Sequence, residues 1–281
     1  MNRNEFFQAL PITRLNLRMT GAALEICTDD IDDIHVMISG SKADAEAMRV
    51  LAKADTLTLE QPLFLKAAKA ANTWLQVTIR LPRSWKGAVD ARTITGWMNI
   101  RSFAGTDLAL NTVSGTIMAN DLNFMTISAR SVTGDVKLTQ VICREVSLFS
   151  AFGSLSVMDV QLQKAKAYTG TGTVALTLPH PFEALTLASI TGDLCVDAPI
   201  ILCDAAMRSV SGRIRTTGVS IVEGGPKVRA ATVSSDLDIT TTLESHSHIL
   251  RRNFPWLDRI SAVSAAATCS SSCARPRRCS R

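Results

Sequence analysis

Aromatic side chains are scarce: four Trp, nine Phe and one Tyr make up 5% of 281 residues. Long apolar runs are missing too. No stretch approaches the roughly 20 apolar residues of a membrane span. The opening MNRNEFFQALPITRLNLRM lacks the unbroken apolar core of about 7–15 residues that a secretory signal carries. These two absences predict a cytoplasmic chain with no transmembrane segment. Catalytic and nucleotide-binding signatures are absent as well: no G-x-G-x-x-G between a strand and a helix, no G-x-S-x-G elbow, no H-E-x-x-H. What remains is ordinary globular composition, 46% apolar and 20% charged, long enough to bury a sizeable core. That excludes a disordered chain, a collagen-like repeat and a disulfide-dense mini-protein.

The formal net charge is +5, but it is unevenly placed. Residues 251–281 hold seven Arg against one Asp, a net +6, which leaves −1 for residues 1–250. The nearly neutral body gives no electrostatic reason to expect nucleic acid. Arg275, Arg277, Arg278 and Arg281 have no aromatic partners for stacking and read as a solvated tail. Of seven cysteines, Cys27, Cys143, Cys195 and Cys203 sit singly in strand-like contexts and read as small buried thiols. Cys269, Cys273 and Cys279 lack the fourth ligand a zinc site needs.

Internal periodicity is the strongest signal. Gly96, Gly115, Gly134, Gly153, Gly172, Gly192 and Gly212 recur every 19 or 20 residues, and Ser235 takes the same place after Gly224-Gly225-Pro226. Two residues after each stand Met98, Ile117, Val136, Leu155, Val174, Leu194, Ile214 and Leu237. Apolar residues also dominate four after, two before, five before and seven before, with Thr, Ser, Asp, Asn, Lys or Arg between. Such alternation marks strands with one buried face. A strand rises about 3.3 Å per residue, so one repeat holds two or three short strands and tight corners. One coil cannot bury its own apolar face; stacked coils can.

The fold class expected is therefore all-β: a single-stranded parallel β-helix or β-solenoid with 19–20-residue coils and glycines at the repeat corners. The Ser or Thr beside each glycine is expected to hydrogen-bond at the corner or along the stack. Residues 1–86 read as an N-terminal cap and irregular first coils, with one short helix over 41–54 N-capped by Ser41. Residues 87–245 form the solenoid. Residues 246–281 read as a capping helix, on the spacing of Trp256, Leu257, Ile260 and Val263, followed by the Arg/Cys tail.

The segments VDARTITGWMNI, ALNTVSGTIMA, SARSVTGDVKL, TLASITGDLCV and MRSVSGRIRT resemble the putative-adhesin family of β-strand repeats, domain-of-unknown-function family 4097. The likeness covers roughly residues 12–245. It implies a β-helix-like stack of bacterial type and carries over no catalytic residue.

No reactive constellation stands out. One residue after the corner stand Trp97, Thr116, Asp135, Ser154, Thr173, Asp193, Arg213 and Asp236; Asp193 and Arg213 are expected on neighbouring coils, with no two carboxylates adjacent. His246 and His248 would share one side of a strand, without a third ligand. No catalytic, metal or cofactor-binding residue is assigned. Three functions stay open. The first is a non-catalytic interaction module binding a protein or glycan through its polar outer face. The others are a carbohydrate-active β-helix enzyme and an end-to-end polymerising scaffold.

Overall fold

The alternation becomes strands in the computed structural model, which describes residues 1–62, 75–200 and 202–241. The expected capping helix near Trp256, the Arg/Cys segment and the pair His246 and His248 lie outside the described residues.

Register follows the repeat. Leu108, on strand Asp107–Ser114, stands beside Val89 on one side and Ile127 on the other. The series continues through Val146, Ala165 and Leu185. A second parallel series runs Met98, Ile117, Val136, Leu155, Val174 and Leu194. Every one of these side chains is buried. The result is a β-rich, repeat-built solenoid whose two ladders share one aliphatic interior.

The order of coils departs from the order of the sequence. Val228 pairs with Leu185 on one side and Ala205 on the other, and Leu237 lies between Leu194 and Ile214. Residues 227–241 thus insert beneath residues 202–217. The reason is hydrophobic. Inward positions on 227–241 carry Val228, Ala230, Leu237 and Ile239, all buried, whereas 202–217 offers Ala205, Met207, exposed Ile214 and Thr216. The more apolar coil goes inside. The same exchange occurs at the other end: Leu15 lies between Leu57 and Val89, and Leu24 between Val77 and Met98.

At that N-terminal end antiparallel strands finish the ladder. Asp33–Ser39 pairs with Leu75–Pro82, Asn2–Gln8 with Asp33–Ser39, and Arg49–Lys53 with Thr56–Glu60. The expected helix is shorter than its pattern. Ser41 does cap it, accepting from the Asp44 amide at 3.2 Å, but the helix spans only Lys42–Ala47. Residues 49–53 turn instead into a hairpin through Ala54, whose φ is 52°. Its tight two-residue turn and the burial of Leu57 and Leu59 opposite override the helical spacing.

A second bend recurs without any glycine signal. Ser102, Asp121, Gln140 and Asp159 all have φ between 51° and 55°. Each lies between two inward residues, such as Leu138 and Val141, so the chain kinks there and keeps both buried.

Candidate functional site

The corner glycines are required by proximity more than by backbone angle. A Cβ on Gly134 would fall 1.8 Å from the carbonyl oxygen of Gly115, and one on Gly192 2.0 Å from that of Gly172. Of the seven, Gly96 and Gly172 have left-handed φ, 136° and 143°.

Three residues before each corner stands an inward hydroxyl, and several of these tie corner and stack together, a column the period-2 pattern hid among polar positions. Ser131 Oγ accepts from the Gly134 amide at 2.7 Å, and Ser150 Oγ donates to the Gly134 carbonyl at 3.0 Å. Thr169 Oγ1 donates to the Gly153 carbonyl at 2.9 Å. These hydroxyls are buried, with Ser150 at 0% exposure. The hydroxyls directly before the corner also bond along the stack: Thr133 Oγ1 donates to the Val113 carbonyl at 3.2 Å.

The column two before the corner, expected in the core, faces outward. Ile94, Val113, Val132, Ile190 and Val233 are all exposed, Ile190 by 57%. The cause is parity: positions seven, five and three before the corner point inward, so position two before it cannot. Outward beside it runs the column four before the corner, in spatial order Arg92, Asn111, Arg130, Phe149, Tyr168, Ala188, Ala231 and Arg208.

Where aromatic and small residues meet on this face, the surface forms a shallow groove of about 790 Å³ whose exposed lining is almost wholly apolar. Ala151, Gly170, Ala188 and Ala231 make its low floor, and Phe149, Phe152, Tyr168, Ile190, Val210 and Val233 rise around it. Single exposed apolar residues are ordinary; a contiguous patch of them is the mark of an interaction site. The expectation of a polar outer face therefore fails on this sheet. It holds better for the other sheet, whose outward positions include Asn99, Lys137, Ser156 and Arg215.

The carboxylates after the corners serve the backbone. Asp135 accepts from the Ser154 amide at 2.9 Å, Asp193 from the Asp236 amide at 3.1 Å, and Asp236 from the Arg213 amide at 2.8 Å. Because of the coil exchange, Asp236 separates Asp193 from Arg213. The expected neighbours are thus two coils apart, and two carboxylates are adjacent after all.

A second depression, about 430 Å³, is lined by Asp121, Gln140, Asp159, Gln161 and His180. Asp121 and Asp159 are two coil steps apart, about 9.6 Å at ordinary strand spacing. Among the described residues no group of three or more His, Cys, Asp and Glu could hold a metal ion. Of the thiols, Cys143 and Cys203 are buried, and burial pushes Cys143 up to about 12; Cys27 and Cys195 are only partly covered, on outward positions. No helix among the described residues is long and apolar enough to cross a membrane.

The family model described as Toastrack DUF4097 matches residues 12–254. No curated protein matches the sequence. Among solved structures, the chain is similar to a "putative adhesin" from Bacteroides fragilis, with TM-score 0.55 and 12% identity over 86% of this chain and 97% of that one. It is also similar to a "putative adhesin" from Parabacteroides distasonis, with TM-score 0.51 and 9% identity over 86% of this chain and 97% of the other. At such identities the likeness is one of fold.

Proposed function

This chain belongs to the Toastrack DUF4097 family, and we propose that it is a non-catalytic interaction module of parallel β-helix form. Its partner binds the apolar groove between Phe149 and Val233. The observation that carries this reading is the contiguous exposed apolar surface along the ladder, interrupted chiefly by Thr171, Thr191 and Arg208. A glycan partner fits this surface poorly, because sugar hydroxyls need hydrogen-bonding groups. The two structures of like fold are each described as a "putative adhesin", which accords with a binding role.

The test uses anilinonaphthalene sulfonate, a dye that fluoresces in apolar sites. The native protein is expected to bind it, and Ile190→Glu with Phe152→Glu to abolish binding at unchanged Tm. Absence of dye binding by the native protein overturns the reading.

The enzyme alternative rests on Asp121 and Asp159, whose backbones stand about 9.6 Å apart, just beyond the roughly 6.5–9.5 Å between the carboxyl groups of an inverting pair. Polysaccharide turnover lost on Asp159→Asn would establish it in place of the interaction role.

A further inference from the structure

The groove has a direction. It crosses five adjacent coils, so it runs about 19 Å, four steps of about 4.8 Å, the span of an extended long acyl chain. One end stops at Arg208, on the outermost of the described coils. Along one side, two residues back on the same outward face, lie Lys166 and Arg229, joined through the register Lys166–Thr186–Arg229. All three cations are exposed, and among the described residues none is in an ion pair. An apolar trough with unpaired positive charge at one end and along one flank is complementary to a molecule with a long apolar body and an anionic head.

We propose that the groove takes a single-chain anionic amphiphile, with the acyl chain along the floor of Ala151, Gly170, Ala188 and Ala231 and the acidic head at Arg208 and Arg229. This rests on the groove being the binding surface proposed above and names the chemistry of what binds there. A peptide strand is a poorer occupant. The ladder beneath the groove has its backbone groups already paired between coils, which leaves a peptide's many amides little beyond Thr171, Thr191 and Arg208 to bond. The head is read by charge alone, so a free fatty acid and a lysophospholipid share the same recognition.

The experiment is displacement of cis-parinaric acid, a fluorescent fatty acid, from the full chain, with palmitate, lysophosphatidylglycerol and uncharged hexadecanol delivered from cyclodextrin as competitors. Both anions are expected to displace it, their order telling which source is preferred, and hexadecanol roughly tenfold less well. Arg208→Gln with Arg229→Gln should remove that preference, whereas Arg130→Gln, in the same outward column but beyond the groove, should leave it intact. Ala188→Phe, which fills the floor from an outward position, should abolish parinarate binding at unchanged Tm. Equal displacement by all competitors, unaltered in the double arginine variant, overturns the head-group assignment. Dye binding without parinarate binding overturns this inference while leaving the interaction surface standing. A native dimer in sedimentation that Ala188→Phe dissociates makes a second copy the occupant and overturns the proposal too.

Discussion

Asp193 and Asp236, 43 residues apart in sequence, are neighbours in space, the amide of Asp236 donating to the Asp193 carboxylate at 3.1 Å. Glycine spacing alone sends Gly212, not Ser235, to the place above Gly192. Instead Ser235 Oγ accepts from the Gly192 amide at 2.6 Å, and Gly212 packs over the Ser235 carbonyl.

Cross-linking reads this order directly. Ala188 and Ala231 are register partners, about 4.8 Å apart on adjacent strands, while Ala188 and Arg208 are two steps, about 9.6 Å, apart. A disulfide needs Cα atoms within roughly 7 Å. Cysteines at 188 and 231 should therefore bridge under mild oxidation, and cysteines at 188 and 208 should not; mass spectrometry of the digests distinguishes them.

The buried hydroxyl column separates bonded from unbonded members. Ser131→Ala removes the acceptor of the Gly134 amide and should destabilise by about 1–3 kcal/mol in urea melts. Thr112 Oγ1 is buried without a hydrogen-bond partner, so Thr112→Val should be neutral or stabilising.

Gly134→Ala forces a methyl into the Gly115 carbonyl. Neither neighbour can withdraw without breaking the ladder, so the loss should reach roughly 3 kcal/mol or more. Val132→Lys, two residues earlier and outward, should stay within about 0.5 kcal/mol of the parent. Val136→Asp, two residues later and wholly buried, should cost several kcal/mol by burying an unpaired charge.

Alkaline stability carries the signature of Cys143. Its thiol is held up to about 12 by burial, against about 8.5 in an unfolded chain. Between those values the native state keeps a proton that the unfolded state releases. Stability therefore falls as pH rises, by up to about 1.4 kcal/mol per pH unit for this group. The slope of unfolding free energy between pH 9 and 11 should be shallower for Cys143→Ala than for the parent, whatever that variant's absolute stability.

The repeat, its strand character and its inward columns at Met98, Val136 or Leu187 were legible because aliphatic residues at period 2 leave few alternatives. The column of Ile94, Val113 and Ile190 was misread because hydrophobicity was weighed without parity: once Leu185 and Leu187 point inward, Ser189 must follow and Ile190 cannot. The groove was hidden for the same reason, since an exposed apolar stripe and a buried one look alike in composition. Its cationic flank was harder still to see, because only the coil exchange sets Arg229 beside Thr186, in line with Lys166, and leaves Arg208 at the groove's end. That exchange depends on comparing how apolar two whole coils are. The glycine-free bends had only a weak residue-type signal, Asp121 and Asp159 being of a type that tolerates positive φ while Ser102 and Gln140 are not marked for it.

The exchange has a consequence for how the solenoid comes apart. In a simple stack, heat or force can unwind the final coil and then the next, like thread from a spool. Here residues 202–217 lie outermost among the described residues, yet the chain running on from them returns beneath them as residues 227–241. Peeling the outer coil leaves a closed loop tethered on both sides, and the mirror arrangement binds residues 14–29 at the opposite end. Apart from the edge strand Asn2–Gln8, the stack of described coils is latched at both ends, so its disassembly should be all-or-none rather than progressive.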